Sequence, residues 1–214
     1  MIAFQDALDS GATHLETDVR ATADGVAVLM HDAEFDPDHD RVADLTLAAL
    51  RNRLPHLLTL AEALRALPQA RFNIDVKAQA AVTPVVSDIR ASAAADRVLV
   101  TSFARRRSHP VVRALEPVAT SPSAAPAALG VLAAAGGVGP LLRLALHGVD
   151  ALQVPERILG VRLDSPGLLT RVHAAGAEVH VWVVNDAARM RALVAAGVDG
   201  IVTDRPDLAA EVVG

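Results

Sequence analysis

Short runs of Val, Ile and Leu alternate with longer Ala-rich stretches along almost the whole chain, and that rhythm leaves few folds open. Strand, helix and strand in repeated succession predict a parallel sheet with helical crossovers. The predicted strands are Thr13–Val19, Arg71–Lys77, Arg97–Ser102, Pro117–Thr120, Asp150–Val154, Glu178–Val184 and Gly200–Asp204. Between them lie predicted helices at Leu60–Leu67, Ala80–Ala94, Leu168–Ala175, Ala187–Ala196 and Pro206–Val213. Asp186 and the Ser165-Pro166 pair are helix-start signals, and Gly176 and Gly197 are stop signals. Roughly seven parallel strands is one short of the eight that close a barrel. Such a barrel opens on a strand, whereas this chain opens on a predicted helix, Ile2–Ser10. No linker-like composition divides residues 1–214, so a single domain is expected.

Composition narrows the function classes. The chain of 214 residues is 52% apolar but only 2% aromatic, so Ala, Val and Leu must fill the core. A net charge of -5 argues against a nucleic-acid surface. The one dense basic run, Arg105-Arg106-Arg107, reads as a solvated helix face in preference to a phosphate or membrane contact. The lack of cysteine excludes disulfides, a thiol nucleophile and thiolate metal sites, and fits the cytoplasm. No signal peptide opens the chain. Ala124–Leu142 is uncharged, but it is mostly Ala and Gly and contains Pro126 and Pro140. It therefore reads as a packed helix or loop and not as a membrane span.

Chemistry concentrates near the start. Alternate residues of a strand share a face, so Glu16 and Asp18 point together while Leu15, Thr17 and Val19 point the other way. Val26–Met30 follows too closely for a parallel crossover, so Asp24-Gly25 predicts a hairpin. A two-residue turn there places His31 opposite Asp18, with Asp32 able to fix its tautomer. Asn73, Asp75 and Lys77 share one face of a later strand. Glu16, Asp18 and Asp75 together offer oxygen ligands for Ca²⁺ or Mg²⁺, with Lys77 as a fixed charge for an anionic substrate. The competing reading is an internal ion-pair cluster of Asp75 with Lys77 or Arg20. His14 reads as a packing residue, and His39, His56, His109, His147 and His173 as surface residues. Trp182 shares a face with His180 and could wall a small-molecule pocket or pack in the core.

Taken together, Glu16-Thr17-Asp18-Val19, the Asp24-Gly25 hairpin and His31-Asp32 resemble the glycerophosphodiester phosphodiesterase family. Asn73-Ile74-Asp75-Val76-Lys77, Thr101-Ser102-Phe103, the run 180–186 and the run 197–206 resemble its later motifs, in order and over nearly the whole chain. The resemblance implies a TIM barrel with a small β-hairpin insertion that hydrolyses glycerophosphodiesters to glycerol 3-phosphate and an alcohol. It implies that Glu16, Asp18 and Asp75 hold a divalent metal, Ca²⁺ or Mg²⁺. Lys77 would bind the phosphate, Trp182 would contact the glycerol portion, and His31 would be one of two acid–base histidines. Asp75 departs from the family's usual Glu, keeping the charge with a shorter reach. The family's first strand, with its His-Arg-Gly and Pro-Glu-Asn-Thr motifs, precedes anything in this sequence. The expectation is therefore weak or absent hydrolysis. The alternatives are a non-catalytic degenerate barrel binding a phosphodiester or a protein, or another phosphate-handling barrel acting on lysophospholipids.

Overall fold

The computed structural model describes residues 1–35, 39–165 and 167–213, which leaves Pro166 of the predicted helix-start signal outside it. The chain separates into two compact units, Met1–Gln5 with Thr13–Ala119, and Asp6–Ala12 with Thr120–Gly214. The first helix, Ile2–Asp9, is shared between them by sequence.

In the first unit the strands are β1 (His14–Ala21), β2 (Ala27–Leu29), β3 (Glu34–Phe35), β4 (Asp40–Arg41), β5 (Arg71–Val76) and β6 (Val98–Thr101). A two-residue strand, β7 (Ala119–Thr120), starts at the unit's last residue. The sheet order is β2-β1-β5-β6-β7, and β3 and β4 form a separate small hairpin. The strands β1, β5 and β6 run parallel, with Asp18 beside Asp75 and Glu16 beside Asn73. One face of this sheet is apolar: Leu15, Val19, Phe72, Ile74, Val76, Val98 and Val100 are all buried. Flanking helices add Val85 and Ile89 from Val82–Ala91, and Val111 and Leu115 from Arg105–Leu115. Each such side chain contributes about 1.5–3 kcal/mol when fully buried. Stability is thus carried on one face, which leaves the other free for polar residues.

The β1–β2 connection differs by one residue from its prediction. Thr22 N–H donates to Val26 O at 3.0 Å and Gly25 N–H to Thr22 O at 3.0 Å, so the loop has three residues, Ala23, Asp24 and Gly25. Gly25 takes a left-handed φ of 76°, which closes a three-residue hairpin but not the two-residue turn expected. Consequently Val19 pairs with Leu29, and it is Met30 whose N–H donates to Asp18 O at 3.0 Å. His31 lies one residue beyond that, past the end of β2.

Short helices depend on their ends. Helix Leu60–Ala66 begins with a reciprocal capping box: Thr59 Oγ1 accepts from Glu62 N–H, and the Glu62 carboxylate accepts from Thr59 N–H. Arg51 pairs with the same carboxylate at 2.5 Å. Beyond the far end, Arg97 donates to the carbonyls of Leu64 at 2.8 Å and Ala70 at 2.7 Å. These contacts fix the segment that leads into β5, and hence the height of Asn73 and Asp75.

In the second unit the strands are β8 (Ala151–Pro155), β9 (Arg157–Ile158), β10 (Val161–Arg162), β11 (Glu178–Trp182) and β12 (Gly200–Ile201). Parallel pairing gives the order β12-β11-β8, with Trp182 beside Pro155, while β9 and β10 form a short antiparallel hairpin. Leu152, Val154, Val179 and Val181 face a cluster that includes Leu168, Leu169, Val172, Met190 and Leu193. A methyl at Gly200 would stand 2.6 Å from the His180 ring, so only glycine fits beside that imidazole. The Ala-rich segment forms two packed helices, Ala124–Ala135 and Gly139–Ala145. Among the described residues no helix is long and apolar enough to cross a membrane.

Thr59→Ala removes one half of the capping box. It should lower stability by about 1 kcal/mol in chemical denaturation, with an unchanged m-value.

Candidate active site

The polar face of β1 and β5 is built by register. Parallel neighbours stand about 5 Å apart and alternate residues on one strand about 7 Å apart, so Glu16, Asp18, Asn73 and Asp75 form a four-cornered patch. Its neighbours enter from the strand ends and loops. Lys77 follows β5 directly, and its N–H donates to Val19 O at 2.9 Å. Its ammonium lies 2.9 Å from Asp18 Oδ1 and 2.7 Å from Asp75 Oδ2, bridging the two carboxylates. The Phe103 ring lies 5.5 Å from the same ammonium. Ser102 Oγ donates to Val76 O at 2.7 Å, which ties the β6 loop to the end of β5.

Electrostatics at this patch follow from crowding. Glu16 keeps solvent access, yet neighbouring protein desolvates its carboxyl and Asp18 and Asp75 repel its charge, which pushes its pKa up to about 7. Burial also raises the Asp75 carboxyl, against the opposing hydrogen bond and charge of Lys77. Burial acts to lower Lys77, but its hydrogen bonds to Asp75 and Asp18 prevail and raise it, so the ammonium stays charged. His31 is exposed; its Nδ1 lies 2.7 Å from Asp32 Oδ1, and its carbonyl accepts from Arg20 Nε at 2.9 Å. Of the charges that act on Glu16, that of His31 contributes least, and the hydrogen bonds of His31 among the described residues run to Asp32 and Arg20 and not to the carboxylate patch.

The structure therefore brings Glu16, Asp18, Asp75 and Lys77 together in the first unit, and places His31 exposed just beyond the end of β2 in the same unit. Trp182 belongs to the second unit, half-buried at the end of β11. His14, expected to pack, is exposed, with Nδ1 3.0 Å from Thr13 Oγ1. Two further residues matter that sequence reading did not assign to the site. Asn73 occupies the corner beside Glu16, and its Oδ1 is buried without a partner among the described residues. Arg107, read as part of a solvated run, is half-buried and donates to the Lys77 carbonyl. Asn73 was visible from its alternation with Asp75; nothing in the run 105–107 distinguished its third arginine.

Among the described residues no three His, Asp or Glu side chains converge as a ready-made metal cage. Lys77 lies between Asp18 and Asp75. The donor set nonetheless suits a hard divalent cation, because every corner offers oxygen and Asp75 Oδ1 is buried with no hydrogen-bond partner among the described residues.

Parallel strands joined by helical crossovers, with carboxylates near the strand ends, are the arrangement expected of an α/β-barrel enzyme. The profile of the glycerophosphoryl diester phosphodiesterase family matches residues 1–208, and the chain belongs to that family. It is 38% identical to a probable glycerophosphodiester phosphodiesterase 2 of Mycobacterium tuberculosis, over 99% of this chain and 83% of that protein. Solved structures agree on the TIM-barrel fold. A glycerophosphodiester phosphodiesterase of Thermotoga maritima superposes with a TM-score of 0.77 at 19% identity, over 97% of this chain and 88% of that one. A phosphodiesterase of Oleispira antarctica, solved with sn-glycerol 3-phosphate, gives 0.76 at 18% identity, over 99% and 90%.

The raised Glu16 pKa sets a pH dependence. A carboxyl that titrates near 4.5 when unfolded and about 7 when folded holds its proton longer in the native chain. Its contribution to stability is therefore complete below about pH 4.5 and declines as pH rises towards 7. Solvent access screens that effect, so the sharper readout is cation binding. Ca²⁺ affinity measured by calorimetry should rise between pH 6 and pH 8 as Glu16 ionises, and Glu16→Gln should flatten most of that rise.

Proposed function

We propose that this chain is a metal-dependent phosphodiesterase that hydrolyses glycerophosphodiesters to glycerol 3-phosphate and an alcohol. The observation that carries this reading is the oxygen-rich patch of Glu16, Asp18 and Asp75, with the unpartnered Asp75 Oδ1, beside a charged Lys77 in a chain of this family. The relatives' names support the substrate class, and the product held by the Oleispira antarctica protein supports the glycerol 3-phosphate half. Glu16, Asp18 and Asp75 would hold Ca²⁺ or Mg²⁺. When bound, such an ion polarises a phosphate oxygen and offsets charge developing in the transition state.

The chain's own residues supply the rest. Lys77 binds the phosphate, exchanging carboxylate partners for phosphate oxygens as an ammonium readily does. His31 holds or releases a proton at the attacking or leaving oxygen, with its ring oriented by Asp32. By the family resemblance, Trp182 would contact the glycerol portion. In this reading proton transfer rests on His31, which is among the groups whose charge acts on Glu16. A second reading, a barrel that binds a phosphodiester without cleaving it, is favoured by the Lys77 bridge, which already offsets part of the charge of Asp18 and Asp75.

Release of glycerol 3-phosphate from glycerophosphocholine separates the two. The catalytic reading expects a slow rate that EDTA abolishes, that Ca²⁺ or Mg²⁺ restores, and that His31→Ala lowers by about 100-fold or more. A rate indifferent to EDTA and to Asp75→Asn would overturn it. Glycerol 3-phosphate binding without any turnover would establish the second reading.

A further inference from the structure

Three arginines stand side by side at the start of helix Arg105–Leu115, and they behave differently. Arg105 and Arg106 are exposed. Arg107 turns inward: one guanidinium nitrogen donates to the carbonyl of Lys77, and its Nε is buried without a hydrogen-bond partner among the described residues. Burying a guanidinium N–H without an acceptor is unfavourable, and a surface arginine avoids that cost. A second arginine approaches from β1. Arg20 is half-buried, is held by the His31 carbonyl, and is close enough for its charge and that of Arg107 to repel. Three cations, Lys77, Arg20 and Arg107, thus meet four carboxylates, Glu16, Asp18, Asp75 and, beside Arg20, Asp32, at one end of a parallel sheet. A divalent cation held by the carboxylates leaves that balance positive, and a phosphate group offsets it.

We infer that Arg107 is a substrate-binding residue that shares the phosphate of the diester with Lys77. This rests on the phosphodiesterase reading above and extends it to a residue outside the strand motifs. The chemistry is specific to arginine. Its planar fork can keep one N–H on the Lys77 carbonyl while others donate to phosphate oxygens, and lysine cannot reproduce that division. The fixed carbonyl contact aims the side chain before substrate arrives, which reduces the ordering needed on binding. The first turn of the helix adds a favourable local field for an anion beside it. Because Arg107 grips a group present in both substrate and product, its loss should act on binding more than on the chemical step.

Calorimetric titration with sn-glycerol 3-phosphate, in the presence of Ca²⁺, tests this directly. Arg107→Met should weaken binding about tenfold or more, the expected consequence of losing a charge-assisted contact. Arg106→Met, one position away on the exposed face, should leave it unchanged. Arg107→Lys should recover only part of the loss. Arg107→Gln keeps an uncharged polar side chain at the position and covers the case in which the methionine variant does not fold; it should lose affinity similarly. With glycerophosphocholine as substrate, the same variants should raise KM far more than they lower kcat. Unchanged affinity in Arg107→Gln, or no binding by the unmodified chain, would overturn the inference. Hydrolysis with unaltered KM in the variants would remove Arg107 and leave the phosphodiesterase reading standing. Binding lost in the variants of a chain that does not hydrolyse would do the reverse.

Discussion

The register of β1 against β5 places Asp18 directly beside Asp75, and everything at the site responds to that juxtaposition. Two carboxylates about 5 Å apart repel by about 3 kcal/mol at an effective dielectric of about 20. Solvent cannot relieve it fully, since Asp75 is only 6% exposed. Lys77 relieves it by bridging both, and the chain gains a charged side chain held at the strand ends. A stable fold without Lys77 would have to protonate one carboxylate or find another cation. The demand for positive charge is therefore structural before it is functional.

Stability and chemistry are separated across the sheet. The helix-facing side of β1, β5 and β6 is apolar apart from Thr17, with Val19, Phe72, Ile74, Val76 and Val100 fully buried. The opposite side carries Glu16, Asp18, Asn73, Asp75 and Thr101. The second unit repeats the division: Leu152, Val154, Val179 and Val181 are buried, while Gln153, His180 and Trp182 are not. Because few aromatic side chains are available, packing relies on Ala, Val and Leu and on close approaches such as that of His180 to Gly200. Aromatic packing contributes locally, as in the edge-on contact of Phe4 with Phe72.

Much of this was legible in order along the chain. The predicted strands at 71–77, 97–102, 150–154 and 178–184 correspond to β5, β6, β8 and β11 within a residue or two, and the helices Ala187–Ala196 and Pro206–Val213 match their predicted bounds. Period-two burial makes such segments readable, because each has one face against helices. Helix Leu47–Arg53 went unread: it is short, and its single buried residue, Leu50, sets no period. The hairpin register was misplaced by one residue because Asp24-Gly25 serves both two- and three-residue loops. The choice between them lay in the Thr22–Val26 hydrogen bond.

The sequence alone determined which residues could share a face, since alternation along a strand is covalent geometry. Glu16 with Asp18, and Asn73 with Asp75 and Lys77, follow from that. It also pointed to the parallel architecture, because strands alternate with helical segments long enough for crossovers. Only the tertiary structure decided what faced what. The β1–β5 register placed Lys77 between two carboxylates, the hairpin length set the position of His31, and the helix after β6 turned Arg107 inward. These outcomes depend on contacts between segments far apart in the chain, and no local pattern of residue types records them.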